Sequence, residues 1–242
     1  MITLTPYKIP YYNQKQKTEA LSFSKDLSIK QPTPTTLSTF DDSFNPSWIK
    51  DENIHKAVNN LNYLKFDKKD IKTIEKLGVI LPFSSGAEAL KFIKSSNIRI
   101  KFDTFESNDI HARYDFDNNC IKINEIYKNT KNPAEILAIS EAILHEAGHA
   151  KDLDGDSSIQ EELDCLALNA LSHRAFKKQF PDVKFDEDSL IVKDGVCVYA
   201  DLFFDEDSTK SNLINRLKNK YGTLPTGDFI HPPSNLAFKI KS

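Results

Sequence analysis

Glycine is scarce in this chain, seven in 242 residues, and there is a single methionine and a single tryptophan. So little glycine excludes collagen-like and glycine-rich linker architectures. Cysteine is confined to Cys120, Cys165 and Cys197. An odd, widely spaced set of three excludes a disulfide framework and offers none of the paired spacings of a cysteine-based zinc site, so free thiols in a reducing compartment are expected. Neither sign of charge dominates: 32 Lys and Arg stand against 35 Asp and Glu, a net −3. The electrostatic footprint of a nucleic-acid-binding domain is therefore missing, and no nucleic-acid partner is expected. No apolar run is long enough to span a bilayer. The opening Met1-Ile2-Thr3-Leu4-Thr5-Pro6 lacks the charged-then-apolar layout of a signal peptide. The expected location is the cytoplasm, or a host cell reached by secretion or delivery without a cleavable signal. What is present, 39% apolar residues, suffices for one good core or two modest ones.

Composition divides the chain. Residues 1–45 hold four of the 11 prolines, no glycine, and the polar stretch Gln31-Pro32-Thr33-Pro34-Thr35-Thr36. Such a segment buries too little apolar surface to offset its ordering entropy, so a polar, partly disordered arm is expected. From 46 to 97 the spacing turns helical. Trp48, Ile49, Ile54, Val58, Leu61 and Leu64 form one stripe, Ile71, Ile74 and Leu77 a second stopped by Gly78, and Ala87 to Ile93 a third behind Ser84 or Ser85. This is the expected helical subdomain. Residues 98–242 then open with alternating runs. Ile98 to Phe102 is one, and Ala112 to Phe116 and Cys120 to Asn124 flank an Asp117-Asn118-Asn119 turn as a hairpin. A second hairpin is expected from Leu190-Ile191-Val192 and Val196 to Tyr199 around Lys193-Asp194-Gly195, and a helix from Ser211 to Lys220.

The chemistry sits between the hairpins. Asn132-Pro133 is a helix start, with Asn as N-cap and Pro at the first helical position. Ile136, Leu137, Ile139, Ile143 and Leu144 make the helix apolar, and it carries His145-Glu146-Ala147-Gly148-His149. Residues four apart return to nearly the same helical face, so both imidazoles can reach one metal ion. Glu146, one step round, can take a proton from water without binding the metal. Two histidines and a glutamate on a buried helix would be costly without partners. Zn²⁺ is the expected ion.

A catalytic zinc takes a third protein ligand. The spacing after His149 is not that of the metzincins, since Asp152 and Gly155 occupy the positions where those enzymes carry glycine and the third ligand. Cys120 lacks the surroundings of a deformylase ligand. Downstream, Ser157 and Ser158 followed by Gln160 and Glu161 make overlapping capping boxes, which predict a second helix to about Phe176. Its apolar stripe is Ile159, Leu163, Leu166, Ala167 and Ala170. Glu162 borders that stripe and is the expected ligand. Glu161, turned further away, has a ready role as the capping carboxylate and is the alternative.

The stretch from His145 to Ala170 resembles the gluzincin branch of zinc peptidases, and most closely its short-spaced members such as the anthrax-lethal-factor-like bacterial domains. The matching residues are His145, Glu146, Gly148, His149, Ala150, Asp152, Ser158 and Glu162, with Cys165 where the family usually has alanine. Leu166 departs from the pattern, standing where many gluzincins carry an acidic residue that supports a ligand histidine. Asp152, three residues after His149, is the candidate substitute. The resemblance implies an α+β, zincin-like domain in which a small twisted sheet packs on the motif helix and a second ligand helix. It implies zinc on His145, His149 and Glu162, with Glu146 as general base. It also implies an endopeptidase acting on a protein or peptide substrate, plausible as an effector or toxin. An intracellular regulatory peptidase and a non-catalytic zincin-like binding module are the alternatives. Tyr199, His173 and His231 are the candidates for stabilising an oxyanion. The acidic residues Asp152, Asp154, Asp156, Glu161, Asp164, Asp186, Glu187 and Asp188 would favour basic peptides if they rimmed the cleft, and a solvated surface is the expected reading.

Overall fold

The computed structural model describes residues 49–152, 157–185, 189–192, 198–222 and 224–227, with backbone alone at 198–200. The arm expected over 1–45 lies outside them, as do Cys197, His231, Asp154, Asp156 and Asp186 to Asp188.

Asp51 starts the first helix, α1 (Glu52–Tyr63), by accepting the Asn53 and Ile54 backbone N–H groups. The helix buries Ile54, Val58 and Leu61 of the expected stripe, with Ala57 beside them and Leu64 just after, while Trp48 lies outside the described residues. Ile49 is buried ahead of the helix. Helix α2 (Lys68–Glu75) ends shortly before Gly78, whose φ of 71° is the left-handed conformation that closes helices. Helix α3 (Gly86–Ser95) is capped by Ser85. A Cβ on Gly86 would stand 2.2 Å from the Leu61 carbonyl oxygen, so α1 and α3 approach through a position that only glycine can fill.

The sheet has three strands, β1 (Arg99–Asp103), β2 (Ala112–Asp115) and β3 (Cys120–Asn124), in the order β1-β3-β2. β3 pairs parallel with β1 and antiparallel with β2, so the expected hairpin forms and β2 lies at an edge. One face presents Ile100, Ile121 and Ile123 to the core, and the other carries Lys122 held between Asp103 and Asp115. The Asn124 N–H donates to the His111 carbonyl at 2.9 Å. With that register, Arg113 and Asp115 exchange bonds with β3, while the backbone groups of Ala112 and Tyr114 point off the sheet.

Helix α4 (Pro133–Lys151) runs through the middle of the molecule, and α1, α3, β2 and β3 all pack on it. Asn132 caps it by accepting the Ala134 N–H at 3.0 Å. Helix α5 (Ile159–Gln179) lies against α4 and has the predicted capping box. Of the helices described over 49–97, α1 and α3 pack on α4 and α2 packs on α5. The architecture is mixed α+β, mostly helical, with one small sheet.

Among the described residues, neither arm of the second expected hairpin is a strand. Leu190–Val192 is a short helical turn, α6, packed on α4, and Val198–Phe204 is a helix, α7, packed on α5. Ile191 and Val192 are almost fully buried. Their β-branched run records burial against a helix, and that packing overrides strand preference. Helix α8 (Lys210–Tyr221) falls where expected and packs on α5. Among the described residues, no helix is long and apolar enough to cross a membrane.

Candidate metal centre

His145 and His149 project from the last two turns of α4, and their Nε2 atoms stand 3.0 Å apart. Across from them on α5, Glu162 spans both rings. Its Oε2 is 3.8 Å from His145 Nε2 and its Oε1 3.6 Å from His149 Nε2. The three donor atoms lie within 4.8 Å of one another. Tetrahedral zinc with bonds near 2.1 Å holds its ligand atoms about 3.4 Å apart, close to the 3.0 Å between the rings and the 3.6 and 3.8 Å to the two carboxylate oxygens.

The donor set fits a cation on chemical grounds as well. Two imidazole nitrogens facing each other at this distance cannot both carry protons. Burial, with the charges of His149 and Lys220, holds His145 well below its ordinary pKa. Burial also works against a proton on His149, whereas the Glu161 and Glu162 carboxylates favour one and its pKa is raised. Glu162 Oε2 is buried beside the rings with no hydrogen-bond partner. A metal ion would supply a positive charge there and satisfy all three donors.

The neighbouring carboxylates divide the remaining work. Glu161, one residue from Glu162, accepts the Ser158 N–H through Oε2 at 3.3 Å and meets His149 Nδ1 through Oε1 at 2.5 Å. Consecutive helical residues differ by about 100°, so the pair can hold opposite nitrogens of one ring. Asp152 was the candidate for supporting His149, but the carboxylate on its Nδ1 is Glu161. The capping pattern was legible in sequence, whereas this second contact depends on how closely α5 lies to α4.

Glu146 is not one of the three clustered donors. Its Oε2 accepts the Tyr114 backbone N–H from the β2 edge at 2.7 Å. Burial raises its pKa from 4.5 to about 7, with His149 and the Tyr114 N–H pulling down and Glu162 pushing up. Sequence reasoning had no signal for the Tyr114 contact, which is a backbone bond between distant segments.

His173 does not join the cluster. It is buried between α4 and α5, its ring against Phe185, with Nδ1 3.6 Å from the fully buried Glu141. Of the other oxyanion candidates, Tyr199 falls on α7 with its side chain outside the described residues, as all of His231 is. Among the described residues, the charge of Arg113 acts on Glu146 and that of Lys220 on His145, each lowering the pKa. Glu161 and Asp164, expected at a solvated surface, are both buried.

Cys165 packs beneath His149. Burial lifts its pKa to about 11, so it is a thiol at neutral pH, and it is not among the three clustered donors. Its sulfur explains Gly148: a Cβ there would stand 2.6 Å from Cys165 Sγ. Gly148→Ala should therefore destabilise the fold, because overpacking costs about 1–3 kcal/mol against a helix-propensity gain of at most about 1 kcal/mol. In a Cys165→Ala background the same change should become neutral or stabilising. Urea unfolding of the four proteins checks this, and an unchanged penalty in the second background would refute the steric cause.

No family model, curated protein or solved structure matches the chain. The site therefore rests on its own geometry.

Proposed function

We propose that the protein is a zinc-dependent endopeptidase. The observation that carries this reading is the convergence of His145, His149 and Glu162 from two helices, within 4.8 Å, beside a carboxylate that is not one of the donors. Bound at those three residues, zinc would act as a Lewis acid, polarising the scissile carbonyl and acidifying the attacking water.

The chain's own residues do the rest. Glu146, buried and with a pKa of about 7, sits where a general base works best, near the ambient pH. It takes the proton of the attacking water and returns it to the leaving amine. The Tyr114 N–H keeps its carboxylate against the edge of β2. The backbone groups of Ala112 and the carbonyl of Tyr114 point off that edge, where an extended peptide could add as a further strand. A substrate held there would lie alongside the base and the three donors together. Glu161 orients His149 and, through Ser158, also ties that ring to the start of α5.

The purified chain should contain about one zinc, and His145→Ala and His149→Ala should each abolish uptake. Elemental analysis reads the metal. Labelling of new N-termini in a treated cell extract reads the peptidase activity, with Glu146→Gln as the inactive control. Full zinc occupancy in the double histidine variant would sink the metal centre. Identical N-termini with wild type and Glu146→Gln would sink the peptidase reading.

A further inference from the structure

We infer that Asn169 is the positioning residue for His145, its side-chain carbonyl taking the Nδ1 proton so that Nε2 is left bare for the metal. This rests on the metal centre proposed above. A neutral imidazole carries one N–H, and a metal needs the lone pair of the other nitrogen, so a histidine ligating through Nε2 must hold its proton on Nδ1. In a buried site that N–H needs an acceptor, since a buried donor left unsatisfied destabilises the site.

The two histidines differ here. His149 has Glu161 on Nδ1. Nδ1 of His145 is buried and makes no hydrogen bond of ordinary length. The Cys165 carbonyl and the Asn169 side chain both lie near the ring. The Cys165 carbonyl already accepts one hydrogen bond within α5 and is fixed in direction by that helix, whereas the Asn169 amide belongs to a side chain and can turn its oxygen to the ring.

Helical geometry places Asn169 at the right level. Along α4, Glu141, His145 and His149 follow at steps of four residues, and along α5 Cys165, Asn169 and His173 do the same in the opposite direction. His149 is level with Glu162 and Cys165, and Glu141 is level with His173. Asn169 falls between those rungs, opposite His145. Seven residues after Glu162, it returns to within about 20° of the same face, and it is only 6% exposed. A polar side chain so placed has little solvent to bond with. The other buried group near this level, Glu141, lies beside His173 instead.

The test is zinc affinity of the full chain, measured by competition with a chromogenic chelator. Circular dichroism and urea unfolding establish that each variant folds. Asn169→Leu should weaken zinc binding by about 10–100-fold, the range for removing such a supporting contact. Asn169→Asp, which keeps an acceptor oxygen, should stay close to wild type, and Glu141→Gln should leave the affinity unchanged. In the zinc-loaded protein with ¹⁵N-labelled histidine, the Nδ1–H signal of His145 should be protected from exchange and should shift in Asn169→Asp. That signal decides the matter even if Asn169→Leu does not fold. A folded Asn169→Leu with wild-type affinity, a larger loss in Glu141→Gln, or an unshifted Nδ1–H signal would overturn the role of Asn169 alone. A wild-type chain that binds no zinc would overturn the centre and this inference together.

Discussion

Glu162→Ala should reduce zinc affinity by several orders of magnitude, because it removes one of three donors and leaves two imidazoles to hold the ion. Glu161→Ala should cost less, and for two separable reasons. It removes the carboxylate on His149 Nδ1, which should weaken binding about 10–100-fold. It also opens the capping box at the start of α5, which should lower stability by about 1 kcal/mol. On helical phase alone only the second effect is expected. The contact across to α4 adds the first. Chelator competition and urea unfolding on both variants separate the terms, since Glu161→Gln can still accept the Ser158 N–H and should recover most of the stability. If Glu161→Ala lost zinc more completely than Glu162→Ala, the two residues would have to exchange roles.

Glu146→Gln should retain zinc while activity falls by at least ~10², since the amide cannot accept a proton and the residue is not one of the three donors. The structure adds a consequence for stability. Burial raises the Glu146 pKa from 4.5 to about 7, so the folded state prefers the protonated acid. A group whose pKa is higher in the folded state favours folding most below its unfolded pKa, and that contribution is lost as pH rises through the folded value. Wild type should therefore lose stability relative to Glu146→Gln between about pH 4.5 and 7, by at most ~3 kcal/mol. Below pH 4 the two proteins should be nearly equal. Urea unfolding in the presence of a chelator at pH 4 and pH 8 measures this, and a difference independent of pH would show that Glu146 ionises as freely in the folded chain as in the unfolded one. Glu141, fully buried and also raised by desolvation, pushes the wild-type curve in the same direction but is common to both proteins.

The parts legible in sequence are those in which near neighbours decide the outcome. Asn132-Pro133, Ser85 and Ser158 mark helix starts through bonds that reach two or three residues. The four-residue interval of His145 and His149 sets their common face. The phase of Glu162 against Ile159, Leu163 and Leu166 brings its carboxylate out beside them. The alternation of β2 and β3 around an Asp and Asn turn was equally local. Leu190 to Val192 shows the limit of local patterns, since Ile191 and Val192 satisfy strand and buried-helix patterns alike, and only packing on α4 distinguishes the two.

By itself, then, the sequence determined which residues could bind an ion, which carboxylate could serve as base, and where the helices carrying them begin. Tertiary structure alone decided that Glu161 reaches His149 while capping α5, and that the Tyr114 N–H reaches Glu146. It also decided that His173 turns inward to Glu141 and that Gly148 must make room for the sulfur of Cys165. Each of these is a contact between segments far apart in the chain. Helical periodicity fixes a side chain's angle about its own axis, and it carries no information on how closely a second element will lie.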